Sequence, residues 1–321
     1  MSNKILIIAG DPNSINSEII YKSYKKLTNY LKKKIYLIGS YNLMKSQLNE
    51  LNYSLSLKKV RSLNEINNDY KLKVLDLDLK FKNPFKVKKK VASDYVLRSL
   101  DLAHKLALKD DVSGIINCPI NKNLLNKRNT GVTEYFAKKC NIKDNSEVML
   151  IFNKNLSVVP LTTHIDIKDV AKKINTSNLV KKSITIEKWY KTYLNKKPRI
   201  GILGLNPHNS EMHTRSEEKK IIEPAVKKLK KIKFDVQGPL VSDSIFISEY
   251  KNYDVLIGMY HDQVLAPFKA LYKFDAINIT LGLKYIRTSP DHGTAIRIIN
   301  KRKANEISLI NCIKIIDKLK K

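Results

Sequence analysis

Disulfide pairs, membrane-length apolar runs and glycine-rich phosphate loops are all missing from this chain of 321 residues. Cysteine occurs three times, as Cys118, Cys140 and Cys312, widely spaced and without a CxxC pair. That excludes a disulfide framework and points to a reducing, cytoplasmic compartment. Cys118 precedes Pro119 at the end of an apolar run, but nothing beside it activates a thiolate. The first apolar run is only ILIIA at 5–9, with Asp11 close behind. It is too short for a signal peptide or a membrane span, and no membrane partner is expected. GxGxxG, GxxxxGK[ST] and GxSxG are absent, and the first loop, GDPNSINSE at 10–18, holds a single glycine. A Rossmann dinucleotide fingerprint, a P-loop and a nucleophile elbow are therefore excluded.

Negative charge is also scarce: Lys and Arg number 60 against 30 Asp and Glu, a net charge of +30. Such a balance ordinarily raises nucleic acid as a partner. Here the lysines are dispersed, for example at 32–34, 88–90, 181–182, 227–231 and 318–321, and alternate with Ile and Asn. No zinc finger, RNP-like aromatic motif or separate basic tail accompanies them. They read as solvated faces, with no nucleic-acid partner and with attraction of phosphorylated anions as a by-product.

What is present is a globular chain, 43% hydrophobic and long enough for two domains. Strand-like runs at 4–9, 35–40, 74–79 and 112–122 alternate with helical patterns at 19–34 and 91–110. In the latter, Ala92, Val96, Leu100, Ala103 and Ala107 form one apolar stripe, and His104 on its flank reads as a packing histidine. A helix is expected from 133, capped by Thr133, then strands at 147–152 and 156–164 and a helical stretch capped by Asp166. Further strands are expected at 199–208, 253–263 and 275–282. A helix over 216–231 has Ser216 as N-cap and Pro224 as its weak point, and 234–246 reads as a strand with a Gly-Pro turn. Two helices are expected after 292. The alternation predicts parallel α/β sheets, in which ligands lie beyond the carboxyl ends of strands.

Residues 258–294 pack His261, Asp262, Lys269, Asn278, Arg287, Asp291 and His292 between apolar runs. A solvated face does not need those runs, and a dry core cannot bury the polar groups unpaired. The compromise is a cleft floor facing a polar, anionic ligand. His164 in TTH, His208 in NPH and His261 in MYH each follow a different apolar run. Three imidazoles suit a catalytic divalent ion with an open position, the alternative being unrelated loop residues. Asp243 would add a ligand or orient one. Arg287 suits a carboxylate or phosphate, and Lys269 a point charge or proton donor. Asp291, His292, Gly293 and Thr294 suggest a loop and helix start for an anionic cofactor. Lys122, Thr133 and Glu134 surround another turn, where Thr133 either holds phosphate or only caps.

The stretches PINK at 119–122, TTH at 162–164, GLNPH at 204–208, GPLVSDSIF at 238–246, YDVLIGMYHDQ at 253–263 and NITLGLKYIRTSPDHGTA at 278–295 carry a resemblance. With them the chain resembles the 4-hydroxythreonine-4-phosphate dehydrogenase family of pyridoxal phosphate biosynthesis, from its first strand to about residue 296. The resemblance implies an α/β fold like that of isocitrate and isopropylmalate dehydrogenases, with two α/β domains flanking a deep cleft, not a GxGxxG Rossmann fold. It implies a discontinuous domain of 1–130 plus 275–321 contributing cofactor binding. A second domain, 131–274, would carry the metal-binding histidines and the contacts of a homodimer. His164, His208 and His261 would bind one divalent ion per site (zinc, magnesium, cobalt or manganese), one histidine coming from the partner subunit. Thr133, Lys269, Asn278 and Arg287 would contact the substrate, Lys269 and Asp243 would be catalytic, and 291–294 would contact NAD or NADP. The implied reaction oxidises 4-phosphooxy-L-threonine, and decarboxylation yields 3-amino-2-oxopropyl phosphate.

Three departures stand out. Val132 occupies a place where the family usually shows histidine, in Gly-His-Thr-Glu. The first loop lacks its usual Gly-Pro-Glu ending, and NSEMHTRSEE at 209–218 is poor in glycine. Val132 keeps open a related hydroxy acid such as threonate 4-phosphate. A phosphate-dependent acyltransferase on a similar fold is the other alternative, against which the three histidines speak.

Overall fold

The computed structural model describes residues 4–65, 69–125, 131–142 and 146–319. Contacts divide the chain into two compact units, one of 1–141 with 283–321 and one of 142–282. The boundaries read from the sequence, after 130 and after 274, differ from these, and residue 130 itself lies outside the described residues. Among the described residues no helix is long and apolar enough to cross a membrane.

The strands of the first unit are β1 (Lys4–Ile8), β2 (Ile35–Gly39), β3 (Leu57–Val60), β4 (Leu72–Asp76) and β5 (Val112–Asn117). The second unit holds β6 (Val148–Phe152), β7 (Ser157–Pro160), β8 (Ile200–Leu203), β9 (Val236–Leu240), β10 (Val255–Gly258) and β11 (Ile277–Leu281). The chain then returns to the first unit with β12 (Arg287–Pro290).

In the first unit the order is β3-β4-β2-β1-β5-β12, and every pairing is parallel. Sheets of this kind are covered on both faces, so their strands are continuous apolar runs without alternation. Ile5, Leu6, Ile7 and Ile8 of β1 and Ile35, Leu37 and Ile38 of β2 are at most 2% exposed. The helix Lys89–Ala107 covers one face with the expected stripe: Ala92, Val96, Leu100, Ala103 and Ala107 are all buried. Tyr95 on the same helix accepts a hydrogen bond from Ser40 N at 3.1 Å, tying it to the end of β2. His104 packs edge-on against Tyr285, its Nδ1 2.9 Å from the phenolic oxygen, as expected of a packing histidine.

The second unit has the order β11-β6-β7-β10-β8-β9. Here β6 is antiparallel to both β11 and β7, whereas β7, β10, β8 and β9 run parallel. Its core gathers Ile151, Val158, Leu203, Leu256, Val264 and Phe268.

Several elements differ from the sequence reading for local reasons. The helix expected over 19–34 is two, Asn16–Lys26 and Asn29–Lys34, because Thr28 turns extended and its hydroxyl caps the second. Ser216 does cap, accepting from Lys219 N at 3.2 Å, but Pro224 is accommodated by a π-turn over Glu218–Ile222 before the α-helix Glu223–Lys231. Proline lacks the N–H that an uninterrupted α-helix would use there. Asp166 occupies an N-cap position without a side-chain cap bond. Gly238-Pro239 is not a turn: both residues lie inside β9, joined by a cis peptide. Of the two helices expected after 292, the first is only the short turn Ile296–Ile298, and the second is Ile307–Lys318.

Gly238 has φ +152°, and a Cβ there would lie 2.6 Å from Ile202 O of the neighbouring strand. Gly238→Ala is expected to lower stability by about 1–3 kcal/mol, read as a lower urea midpoint with unchanged slope.

Candidate active site

The carboxyl ends of the parallel strands leave backbone groups without ladder partners, and in both units side chains collect them. In the first unit Asn16 Nδ2 donates to Ala9 O and to Pro119 O, both at 2.8 Å, joining the exits of β1 and β5. Asp11 accepts from Asn13 N at 2.8 Å and Asn121 N at 3.2 Å. Burial pushes the Asp11 carboxyl up, and these two amide bonds oppose the shift. The sequence reading left 10–18 as a plain loop, so it missed Asn16, which begins a helix and braces PINK.

The end of β5 also meets a buried cation. Arg287, the first residue of β12, is 2% exposed. Its Nε donates to Asn117 Oδ1 at 2.6 Å and its NH1 to Thr133 Oγ1 at 3.1 Å. Burial pushes the guanidinium down to about 10, with Glu134 opposing, so it stays cationic at neutral pH. Thr133 is not a cap: the helix Val132–Lys139 is capped by Gly131 without a side-chain bond, and Thr133 lies within its first turn. Lys122 sits in the short turn Lys122–Leu124, its ammonium pushed down by burial and up by Glu134. Val132 is half-buried at the first helical position and brings no donor to this cluster.

The segment 291–294 follows β12 in the same unit. Asp291 N donates to Ser308 Oγ at 3.0 Å, His292 Nδ1 lies 3.0 Å from Gly293 O, and Ile15 N donates to Thr294 O at 3.3 Å. No full helix starts at 295, which corrects the expected helix N-terminus. The loop is joined instead to the start of the helix Asn16–Lys26.

In the second unit, strand exits carry the histidines. His261 opens the helix His261–Tyr272 immediately beyond β10, and its Nδ1 is 2.6 Å from Asp262 Oδ1. An ionised carboxylate only accepts, so the proton belongs on Nδ1 and Nε2 presents its lone pair. His164 lies beyond β7, with ring centroids of His164 and His261 5.9 Å apart. His208 is exposed in a turn where residues 208–212 all have φ between +47° and +56°. Left-handed backbone of this kind costs non-glycine residues about 1–2 kcal/mol each. Among the described residues, no group of three or more His, Cys, Asp or Glu is placed to hold a metal ion. The structure thus brings together two of the three histidines, and His208 is not gathered with them inside one chain. Asp243 is exposed in the short helix Ser242–Ile245, outside any such cluster.

Lys269 is exposed on the helix that His261 opens. Eight residues along a helix correspond to a rise of about 12 Å, so in one chain the two residues stand about two turns apart. Asn278 lies on β11, and its Oδ1 is buried with no hydrogen-bond partner among the described residues. A buried amide oxygen of that kind is suited to a ligand donor.

Two braces in this unit escaped the sequence reading. Gln263 accepts from Met259 N at 2.6 Å and donates to Gly204 O at 2.6 Å and Ser242 Oγ at 2.8 Å, joining the exits of β10, β8 and β9. Glu218, 0% exposed, accepts from Leu205 N at 2.7 Å and Asn206 N at 2.8 Å. The HDQ and NPH motifs marked these loops, but only the folded chain shows which side chains support them.

The chain matches the family described as Pyridoxal phosphate biosynthetic protein PdxA over residues 31–316. It is 36% identical over 327 residues to a 4-hydroxythreonine-4-phosphate dehydrogenase of Sulfurihydrogenibium sp. (strain YO3AOP1), covering 99% of this chain and 98% of that one. A 4-hydroxythreonine-4-phosphate dehydrogenase of Aquifex aeolicus (strain VF5) is 37% identical over 326 residues, 99% of each chain. The crystal structure of 4-hydroxythreonine-4-phosphate dehydrogenase from Klebsiella pneumoniae is similar with a TM-score of 0.87 at 28% identity, covering 100% of this chain and 99% of that one.

Burial alone would push the Glu218 carboxyl up, but the bonds from Asn206 and Leu205 hold it below its ordinary 4.5. Its stabilisation is therefore complete above pH 4.5 and lost as acid protonates the folded form below that value. Glu218→Gln is expected to lower stability at neutral pH by about 1–3 kcal/mol and to flatten the loss below pH 4.5, measured by urea unfolding across pH.

Proposed function

The chain belongs to the family of the pyridoxal phosphate biosynthetic protein PdxA, and on that premise we propose that it oxidises 4-phosphooxy-L-threonine with NAD⁺ or NADP⁺. The secondary alcohol loses hydride to the nicotinamide and its hydroxyl proton to the protein or solvent. The resulting β-keto acid loses CO₂, the carbon left behind takes a proton, and 3-amino-2-oxopropyl phosphate is formed. The observation that carries this reading is the full-length similarity to 4-hydroxythreonine-4-phosphate dehydrogenases at 36–37% identity.

Arg287 and Thr133 bind an anionic group of the substrate. The guanidinium is already desolvated and oriented by its bonds to Asn117 Oδ1 and Thr133 Oγ1, so its field is weakly screened. Asn278 offers its buried amide oxygen to a substrate donor, and Lys269 supplies a point charge or a proton. Asp291, His292, Gly293 and Thr294 contact the cofactor, whose nicotinamide accepts the hydride.

The donor chemistry of His164 and His261 suits a divalent ion: two imidazoles approach each other, and Asp262 orients one of them. His208 completes the set in a homodimer, one of the three histidines coming from the partner subunit. Zinc, magnesium, cobalt or manganese bound there would polarise the alcohol oxygen and later the ketone. Asp243 stands near the set in chain topology, beyond β9, as an orienting or proton-handling group.

Val132 favours one second reading. With no side-chain donor at position 132, the site has less to offer a substrate's polar groups than the family pattern, and threonate 4-phosphate becomes the competing substrate.

Formation of NAD(P)H from 4-phosphooxy-L-threonine, after metal removal and stepwise re-addition, tests the assignment. Metal-dependent turnover is expected. No turnover in folded, metal-loaded protein with either cofactor would overturn the named substrate, and preferential turnover of threonate 4-phosphate would transfer the assignment to it. Asp262→Asn is expected to weaken metal binding about 10- to 100-fold, measured by chelator competition independently of turnover.

A further inference from the structure

We infer that Glu18 and Lys22 are positioning residues for the cofactor: together they hold the strained segment 295–304 in the shape that presents the loop 291–294. The inference rests on the proposed contact of 291–294 with the cofactor.

Segment 295–304 leads from that loop towards the helix Ile307–Lys318 and has no regular element beyond the short turn Ile296–Ile298. Ala295, Asn300 and Arg302 have φ of +47°, +61° and +56°. None is glycine, so at each the Cβ crowds the carbonyl that follows. Backbone of this kind persists only where its surroundings over-determine it. Here the surroundings are the helix Asn16–Lys26. Glu18 lies in its first turn and is 1% exposed. Its Oε1 accepts from Ala304 N at 3.0 Å and from Lys22 Nζ at 2.7 Å. Lys22 stands one turn further along the same face, and its Nζ also donates to Arg302 O at 3.0 Å and Ala304 O at 2.9 Å.

An ammonium carries three donors, and one carboxylate oxygen and two carbonyls meet them. The pair therefore takes up both backbone groups of Ala304 and the carbonyl of left-handed Arg302. On the other side of the strained residues, Ile15 N donates to Thr294 O at 3.3 Å. One end of one helix thus grips the segment before and after its left-handed positions. The Arg302 guanidinium also lies 5.9 Å from the centre of the Tyr53 ring, which stacks at 4.2 Å on Tyr21 of the same helix. A buried carboxylate without its cation would be costly, so Glu18 and Lys22 hold the segment only as a unit. The apparent affinity of a loop for its ligand scales with the fraction of chains that hold the competent shape. Release of the pair lets the left-handed residues relax, and Ala295 passes that freedom directly to 291–294. The loss falls on the cofactor, because Arg287 and Thr133 are held by other bonds.

The test compares full-length, metal-loaded wild type with Lys22→Met, Glu18→Gln, the two combined, Lys22→Arg, Lys26→Met and Gly293→Val. Binding of NADH and NADPH is titrated by fluorescence without substrate. KM is measured for the oxidised cofactor and for 4-phosphooxy-L-threonine, with thermal unfolding as a control. Lys22→Met is expected to weaken dinucleotide binding about tenfold, while KM for 4-phosphooxy-L-threonine stays within about twofold of wild type. Lys22→Arg, which keeps the charge and the donors, is expected to recover part of that loss. The combined variant is expected to bind no more weakly than Lys22→Met, because the pair acts as one unit. Lys26→Met removes an exposed ion pair to Glu306, beyond the segment, and is expected to leave binding within about twofold. Gly293→Val probes the loop itself, since a Cβ there meets no atom within 4 Å. If Gly293→Val weakens binding while folded Lys22→Met and Glu18→Gln stay within about twofold of wild type, the inference fails and the cofactor role of 291–294 stands. If Gly293→Val leaves binding unchanged, that role fails and the inference with it. Equal factors on both KM values in Lys22→Met, or an equal loss of binding in Lys26→Met, also overturn the inference. Should Glu18→Gln not fold, Lys22→Met and Lys22→Arg decide by the same binding criterion.

Discussion

Backbone groups leaving the ends of buried parallel strands must find partners, and the active-site region of each unit is built around that need. A parallel sheet satisfies its interior amides, then releases the chain at its carboxyl end into a loop with no ladder. In the first unit Asn16 and Asp11 take up the groups released by β1 and β5. In the second unit Gln263 and Glu218 do so for β8, β9 and β10. They hold PINK, NPH and HDQ in shape.

The charge pattern follows the same separation of support from function. Most of the excess lysine is dispersed and solvated, where an individual charge interacts weakly. Arg287 is the opposite case, a cation withdrawn from water whose guanidinium donates to Asn117 Oδ1 and Thr133 Oγ1. Val132, beside Thr133, brings no polar side chain to the same corner.

The histidines show how far strand-end logic carries. All three follow strand exits in the second unit, as their motifs suggested, yet only His164 and His261 approach each other. The glycine-poor segment 209–218 forces left-handed backbone onto non-glycine residues just where His208 sits. The ligand set proposed above, completed by a partner subunit, would accommodate that arrangement, because no single chain would then have to gather three imidazoles.

The sequence by itself determined the α/β class, the apolar strands, the stripe of the helix Lys89–Ala107 and the family. Each of these depends on residue periodicity or on contiguous motifs, which are local properties. It also marked Arg287, Thr133, Asn278 and the strand-end histidines as chemically interesting. It could not show that Thr133 serves an arginine instead of a cap, that Gly238-Pro239 lies within a strand, or that Asn16, Asn117, Glu218 and Gln263 are the braces. Arg287 and Asn117 are 170 positions apart in the chain, and polar residues of these types are ordinary in any loop. Only the tertiary structure decided which of them meet, because a hydrogen bond is chosen by distance and direction in space, and the sheet register, not chain proximity, sets both.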